Sequence, residues 1–316
     1  FIERNPFYLY EKDAAGNYVR KPDGNLVVTE EVTLTEELIL SKMGVVTRRW
    51  AAPHQSVTDL GARAVECALE QADIPPHKLE GIIVATVTGR RYPSVACEIQ
   101  EQIGARNVRY AVDIAAACAG FPLALDYARL RMREQPGFYA VVAAEILSRR
   151  LAPKDANIPL FGDGGGAFIL GPVQEPKGIL TFFSGSNPFD GQKEYVHEDM
   201  YGLLRMPGGR PLMKLAVRAM VNGVQMVQEL LGWDHIDLLT FHQANIRFNE
   251  SIKKRFPSFP EEAFYETIER YGNMSAVTCP VAYAEAAQKG LITPGKKVIM
   301  TAAGSGIVDA TVGILA

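Results

Sequence analysis

The sequence of 316 residues predicts an α/β protein built from two similar halves. Helical patterns alternate with short apolar strands along most of the chain, as in domains whose helices pack on both faces of a mainly parallel sheet. Segments 77–83 and 137–144 are echoed by segments 234–239 and 295–302, and the two spacings differ by a single residue. Two matches in register indicate a duplication, so we expect halves at 1–172 and 173–316.

Hydrophobic spacing predicts the individual elements. Helices are expected over Val57–Ala72, Pro93–Ile103, Ala119–Arg133, Leu212–Leu231 and Cys279–Lys289. Strands are expected over Gly81–Val87, Val108–Asp113, Tyr139–Ala144, Ala167–Leu170, Ile236–Phe241, Lys297–Ala302 and Ile307–Leu315. Two turn signals within Asp13–Val28 predict an exposed, hairpin-like excursion before these elements.

The charge, cysteine usage and apolar runs of the sequence exclude some classes of function. A net charge of −3 and a pI near 6.0 predict no general affinity for nucleic acid or anionic membrane, so any basic partner site must be local. Four cysteines without a CxxC pair suit a reducing compartment, and no apolar run reaches the roughly 18–20 residues that span a bilayer. We expect a cytoplasmic protein with no metal and no cofactor. The glycine-rich run at 161–167 precedes a strand pattern, so it predicts a tight turn and not a phosphate loop.

Cys118 is a candidate nucleophile because it follows the strand ending at Asp113 and begins the helix Ala119–Arg133. The positive end of a helix lowers the pKa of a thiol, and the surrounding small residues permit a tight strand-to-helix turn. The alternative for Cys118 alone is a small buried apolar residue. Cys67, Cys97 and Cys279 lie within helical patterns and are interpreted as structural.

Two further polar residues stand where α/β folds place ligands or turns. His242 comes directly after the buried strand that ends at Phe241, and Asn273 lies in Tyr-Gly-Asn-Met-Ser. Each also fits a structural role, for His242 a satisfied core histidine and for Asn273 a turn followed by a helix cap.

The ordered combination of motifs is more specific than any one of them. Ala-Ala-Ala-Cys-Ala-Gly-Phe at 115–121, Phe-Gly-Asp-Gly-Gly at 161–165, His-Gln-Ala-Asn-Ile-Arg at 242–247 and Tyr-Gly-Asn-Met-Ser at 271–275 resemble the β-ketoacyl-(acyl-carrier-protein) synthase III family. The resemblance covers the chain after about Val27. It implies a five-layered α-β-α-β-α thiolase fold, a homodimer and a catalytic set of Cys118, His242 and Asn273. It also implies an oxyanion hole from the backbone N–H groups of Cys118 and Ser305, with Tyr92 in the acyl pocket. Ser305 departs from the family pattern, which has a triple glycine where this chain has Gly304-Ser305-Gly306, but its backbone keeps the N–H.

The reaction that this resemblance implies is a decarboxylative Claisen condensation. Cys118 takes an acyl group from a thioester, a malonyl-type thioester loses carbon dioxide, and the enolate attacks the acyl-enzyme. His242 and Asn273 supply donors for the enolate oxygen. The alternatives are acyl transfer to a hydroxyl or amine, condensation without decarboxylation, and a non-catalytic partner subunit. Tyr92 stands where the non-decarboxylating enzymes carry a glutamate, and the intact nucleophile disfavours the non-catalytic subunit.

One departure from the family pattern and one cluster of charges concern the carrier of the acyl group. Leu38 and Lys42 stand where the family has a Trp and an Arg that sandwich the adenine of coenzyme A. Because this aromatic–guanidinium clamp is absent, the sequence favours acyl donors on acyl carrier protein over acyl-coenzyme A. A basic cluster predicts an acidic docking partner, although a solvated helix face is the alternative. The cluster comprises Lys214, Arg218, Arg247, Lys253, Lys254 and Arg255.

Overall fold

The computed structural model describes residues 7–11, 13, 19–89, 92–186, 196–198, 202–205 and 210–316. Its strands are β1 (Phe7–Tyr10), β2 (Val28–Val32), β3 (Leu79–Ala85), β4 (Tyr110–Ile114), β5 (Phe138–Glu145), β6 (Gly164–Leu170), β7 (Gly178–Ser186), β8 (His197–Glu198), β9 (Leu204–Arg205), β10 (Leu238–Phe241), β11 (Phe264–Tyr265), β12 (Lys297–Gly304) and β13 (Val308–Leu315). Its α-helices are α1 (Glu36–Met43), α2 (Val57–Ala72), α3 (Val95–Gln102), α4 (Gly120–Glu134), α5 (Arg210–Leu231), α6 (Ile246–Lys253), α7 (Ile268–Tyr271) and α8 (Thr278–Gln288).

The first sheet has the strand order β4-β3-β5-β6. β3 pairs in parallel with β4 and β5, and β6 is antiparallel to β5. Helices α2 and α3 pack on its outer face. Ser56 caps the start of α2. Its hydroxyl accepts from the Asp59 N–H, while the Asp59 carboxylate accepts from the Ser56 N–H.

The second sheet has the order β11-β10-β12-β13-β7 and repeats the same plan. β10 pairs in parallel with β11 and β12, and β13 runs antiparallel between β12 and β7. The long amphipathic helix α5 covers the outer face of this sheet, with α6 beside it. The parallel strands therefore deliver their following loops to one end of each sheet.

Helices α4 and α8 form the layer between the two sheets. Phe121 of α4 and Cys279 of α8 are fully enclosed and pack in one core with Val141 of β5 and Met300 of β12. The order of layers is thus helices, sheet, helices, sheet, helices, which confirms the five-layered α/β architecture expected from the sequence. A core shared by both sheets leaves little freedom for their relative placement.

The predicted elements are present, with ends shifted by a few residues. The helix Val57–Ala72 has the predicted bounds. The sequence did not predict strands β1, β2, β7, β8, β9 and β11 or helices α1, α6 and α7. In the Asp13–Val28 excursion the second turn is a hairpin, in which the Lys21 N–H donates to the Asn25 carbonyl at 2.8 Å. Much of the first turn lies outside the described residues, and the division of the chain at 172/173 stays a prediction.

A close backbone approach between β6 and α2 generates a stability prediction. A Cβ atom on Gly165 would lie 2.5 Å from the Leu60 carbonyl oxygen, which is helix backbone and cannot yield easily. We expect Gly165→Ala to lower the free energy of unfolding by about 1–3 kcal/mol, measured by urea denaturation. The control is Gly164→Ala, whose Cβ would meet the flexible Met274 side chain at 3.2 Å. An equal loss in both variants would contradict the importance of the β6–α2 contact.

Candidate active site

Cys118 stands at a sharp turn between β4 and α4. A turn of 3-10 helix (Ala117–Ala119) carries it, and Ala117 has a φ of +47°, in the left-handed region that residues with a Cβ rarely adopt. Strain of this kind persists where the surroundings impose it, and it is common at functional sites. Here the imposing neighbour is the second half: a Cβ on Gly304 would lie 2.3 Å from the Ala116 carbonyl oxygen.

His242 directly follows β10 and is enclosed, with 3% of its surface exposed. Its backbone N–H donates to the Thr301 carbonyl at 2.9 Å, which extends the pairing of β10 with β12. Burial lowers the pKa of His242 to about 4, and a hydrogen bond with the Ser275 backbone acts in the opposite direction. The imidazole is therefore neutral at physiological pH.

Asn273 is held by the glycine-rich run of the first half. Its backbone N–H donates to the Leu160 carbonyl at 2.8 Å, and its own carbonyl accepts from the Gly162 N–H at 3.1 Å. Its side-chain Oδ1 accepts from the Ser275 N–H at 2.9 Å, while Nδ2 is 3.4 Å from the Ala244 carbonyl oxygen. The tight turn predicted for the Phe-Gly-Asp-Gly run is wrong, because the run is extended backbone that bridges to Asn273 of the second half and leads directly into β6. As expected, a strand and not a helix follows it.

Ser275 lies next to the other three polar residues and was not identified from the sequence. Its N–H donates to the Asn273 Oδ1 at 2.9 Å, its side chain lowers the pKa of the Cys118 thiol, and its backbone raises the pKa of the His242 imidazole. Like Ala117, Ser275 has a left-handed backbone conformation, with a φ of +52°. The only signal for it in the sequence is its place at the end of Tyr-Gly-Asn-Met-Ser.

A cavity of about 620 Å³ joins these residues. Cys118, His242, Asn273 and Ser275 all line it, and so does the Gly304–Ser305 turn. Most of the remaining wall is apolar and includes Leu160, Phe161, Leu204, Met213, Phe248 and Ile307. A mainly apolar cavity with a few convergent polar groups suits an acyl chain carried to a reacting centre.

The expected low pKa of Cys118 is wrong for the unacylated protein. Burial raises the pKa of the thiol to about 12, the hydrogen bond from Ser275 opposes that rise, and the nearby Glu145 charge adds to it. The helix N-terminus is visible in the sequence, but the enclosure of the sulfur by the second half is not. Cys118 is therefore a neutral thiol beside a neutral imidazole.

Ser305 lines the cavity with Cys118, its backbone role in an oxyanion hole stays a prediction, and its side chain makes a contact of its own. Its hydroxyl donates to the Val196 carbonyl at 2.6 Å and so attaches the segment before β8 to the Gly304–Ser305 turn. Arg150 makes a second attachment, because its guanidinium is 3.3 Å from the Glu198 carboxylate. Val196, Glu198 and Arg150 all line the cavity, so both contacts fix one of its walls.

Tyr92 does not reach the cavity of its own chain. Its side chain is 96% exposed, and it is not among the described residues that line the cavity. The prediction that Tyr92 lines the acyl pocket is therefore wrong within a single chain. Leu38 is half-buried against a separate cluster, Lys42 is exposed, and neither lines the cavity, so no adenine clamp is found at these positions.

Most of the predicted basic cluster is exposed near the cavity. Lys214 and Arg218 project from α5, whose Leu212 and Met213 line the cavity, and Arg247 stands on α6 one residue before the lining residue Phe248. Lys254 and Arg255 are exposed at the end of α6, and none of these five cations makes an ion pair with another described residue.

Lys253 differs from the rest of the basic cluster. Its ammonium group lies 2.5 Å from the carboxylates of both Glu261 and Glu266. Two anions already neutralise it, so its assignment to a docking surface is wrong.

Two family models match the chain, and together they cover more than half of it. Residues 112–188 match 3-oxoacyl-[acyl-carrier-protein] synthase III, and residues 227–313 match the C-terminal part of the same family. The chain is 37% identical to β-ketoacyl-[acyl-carrier-protein] synthase III of Oceanobacillus iheyensis over 87% of its length and 88% of the relative. The chain belongs to the β-ketoacyl-(acyl-carrier-protein) synthase III family.

Solved structures of synthase III proteins share the fold. The Aquifex aeolicus enzyme superimposes with a TM-score of 0.83 at 33% identity, covering 90% of this chain and 92% of that one. A priming β-ketosynthase from the R1128 polyketide pathway gives a TM-score of 0.82 at 27% identity, over 89% and 88% of the two chains. The likeness spans nearly the whole chain and therefore includes both sheets and the layer between them.

The described part of the chain shows neither a membrane-spanning helix nor a group of metal ligands. No described helix has the length and apolar character needed to cross a bilayer. No three or more His, Cys, Asp or Glu side chains among the described residues are grouped as metal ligands.

The enclosure of His242 generates a prediction for its protonation. We expect the His242 imidazole to stay neutral between about pH 5 and 8, whereas an ordinary histidine titrates in that range. NMR of ring-labelled histidine measures this directly, with resonances assigned through single His→Gln variants. The internal control is His235, which is exposed and has its Nδ1 at 2.8 Å from the Asp234 carboxylate. A His242 midpoint near the ordinary value would contradict the predicted effect of burial.

Proposed function

We propose that this protein condenses an acyl group bound to Cys118 with a malonyl-type thioester and releases carbon dioxide. The observation that carries the proposal is the meeting of Cys118, His242 and Asn273 at one cavity, which Ser275 also lines while its N–H donates to Asn273. Membership of the synthase III family supports the same reaction. The pathway that it serves is fatty acid or secondary-metabolite biosynthesis.

The first step transfers the acyl group to the enzyme. The Cys118 sulfur attacks the thioester carbonyl, a new C–S bond forms, and the donor's thiol leaves with the proton that Cys118 gives up. Charge that develops on the carbonyl oxygen is stabilised by the backbone N–H groups of Cys118 and Ser305. Since the free Cys118 is a neutral thiol, its proton must be lost as the donor binds.

The second step uses donors for an enolate. The bond between the malonyl carboxylate and the adjacent carbon breaks, carbon dioxide leaves, and the electron pair moves toward the thioester oxygen. Neutral His242 and the Asn273 amide donate hydrogen bonds to that oxygen. The enolate carbon then attacks the acyl carbonyl, and the Cys118 sulfur leaves and is reprotonated. A neutral imidazole suits this role because the charge that it stabilises appears only during the reaction.

Acyl carrier protein is the proposed donor carrier. Lys214, Arg218 and Arg247 are exposed cations without a described ion-pair partner, and they stand on helices whose neighbouring residues line the cavity. Lys254 and Arg255 extend this basic surface past the end of α6. In a protein whose net charge is −3, such a surface favours an acidic partner. Leu38 and Lys42 remove the adenine clamp that would favour coenzyme A. Relatives of this chain carry acyl carrier protein in their names.

A homodimer accounts for Tyr92. A tyrosine that is 96% exposed at the start of a helix, and that the family places in the acyl pocket, can serve that pocket only in a second copy of the chain. The proposed location is the cytoplasm, where the four free thiols Cys67, Cys97, Cys118 and Cys279 stay reduced.

Three variants test the division of roles. Cys118→Ala should abolish the acyl adduct detected by intact-protein mass spectrometry, because no other cysteine lines the cavity. His242→Ala and Asn273→Ala should keep the adduct but slow malonyl decarboxylation by at least about 10², the effect of one lost oxyanion donor. An adduct of normal yield on Cys118→Ala would place the nucleophile elsewhere. Undiminished decarboxylation in both other variants would favour acyl transfer to a hydroxyl or amine.

Charge reversal tests the carrier. The same acyl group on carrier protein should acylate Cys118 faster than on coenzyme A, and the difference should shrink with salt because the Debye length falls to about 3 Å at 1 M. Arg247→Glu and Lys254→Glu should slow only the carrier-protein reaction. The control is Lys78→Glu, an exposed cation at the opposite end of β3 from the cavity. Faster acylation from coenzyme A, unaffected by the reversals, would contradict docking at this face.

A further inference from the structure

Glu145 is a buried carboxylate to which the proposed reaction assigns no role. It ends β5, has no exposed surface, and makes no ion pair with a described residue. A buried carboxylate without a cation must be stabilised by hydrogen bonds, and Glu145 accepts them from one short loop. The donors are the Val87 N–H at 3.1 Å, the Thr88 N–H at 3.0 Å, and the hydroxyls of Thr86 and Thr88.

The loop that Glu145 holds is a wall of the reaction cavity, since Val87 and Thr88 line it. Thr88 also accepts from the Ile146 N–H at 2.9 Å through its hydroxyl and from the Arg150 guanidinium at 2.8 Å through its carbonyl. Arg150 in turn contacts Glu198 on the neighbouring wall. One carboxylate thus fixes the backbone of a loop and, through it, a guanidinium in the same cavity.

The Glu145 charge also reaches Cys118. Burial is the main cause of the raised pKa of the Cys118 thiol, and the Glu145 charge adds to it because an anion nearby disfavours a thiolate. The other titratable groups that face Cys118 are His242 after β10 and Cys279 on α8, both enclosed and both uncharged near neutrality. Burial raises the pKa of Glu145 itself to about 7, against the effect of its hydrogen bonds with Thr88 and Val87. Near neutral pH, Glu145 is therefore the enclosed group at Cys118 whose charge changes.

We propose that Glu145 is a positioning residue for the condensation, which fixes the Thr86–Thr88 loop as a cavity wall and whose charge adds to the burial that keeps Cys118 protonated. The inference rests on the proposed function, because that function defines the reaction for which Glu145 positions the loop. The effects of Glu145 on the loop and on the Cys118 thiol occur in the free protein and need no substrate.

The first test measures the alkylation of Cys118 by iodoacetamide against pH, by peptide mass spectrometry that separates Cys118 from the other thiols. In the wild type, the logarithm of the rate should rise with pH and flatten through about pH 7 as Glu145 ionises. Glu145→Gln should give a straight line across pH 7, so the shape of the profile is the readout and not the absolute rate, which the loosened loop also affects. Asp163→Asn is the control, since Asp163 is also buried and accepts from the Ala51 and Ser148 N–H groups, both at 2.9 Å.

The second test measures hydrogen exchange at the Val87 and Thr88 amides. Glu145→Gln replaces one accepting oxygen by an NH₂ group that faces N–H donors, so exchange at both amides should quicken, whereas Asp163→Asn should leave them unchanged. A straight alkylation profile in the wild type would overturn the electrostatic part, whether or not the variant folds. Flattening that persists in Glu145→Gln would also overturn it, and unchanged amide protection would overturn the positioning part. A protein that never forms an acyl adduct would refute the proposed function while leaving both tests readable.

Discussion

The site depends on how closely the backbones of the two halves approach each other at the carboxyl ends of their parallel strands. Gly304 leaves no room for a Cβ against Ala116, and Gly162 is bonded to the carbonyl of Asn273. Contacts between backbone atoms set distances that flexible side chains cannot, so the nucleophile and its partners inherit their geometry from the packing of the sheets. The shared layer of α4 and α8 makes that packing rigid.

The second consequence of this packing is an enclosed centre whose groups are neutral at rest. The features that enclose Cys118 and His242 move their pKa values in opposite directions, toward the uncharged form of each. A centre of this kind holds no standing ion pair, so its fixed dipoles act on charge that the substrate brings or develops. Ser275 serves this arrangement by donating its N–H to the Asn273 amide oxygen while it lines the cavity beside the thiol and the imidazole.

Local signals predicted much of this molecule, and contacts between distant segments account for the errors. The bounds of α2 are visible in the sequence because the Ser56 cap lies only three residues from Asp59. The raised pKa of Cys118 depends on enclosure by residues more than 100 positions away, and no spacing rule encodes it. Lys253 was predicted to be a docking cation, but in the folded chain Glu261 and Glu266 form ion pairs with it. Family motifs located Cys118, His242 and Asn273, but motifs do not show what each side chain bonds.

The bond from the Ser305 hydroxyl to the Val196 carbonyl has a consequence for how such enzymes diverge. The family pattern has glycine at this position, and a glycine has no side chain with which to hold the segment before β8. Position 305 and the 196–198 segment are therefore energetically coupled, and changes at coupled positions do not combine additively. If the 196–198 segment were replaced by that of a relative with glycine at position 305, the new segment would contact the Ser305 hydroxyl, which is absent from the relative. Exchange of this cavity wall between family members therefore requires the two regions to be transferred together.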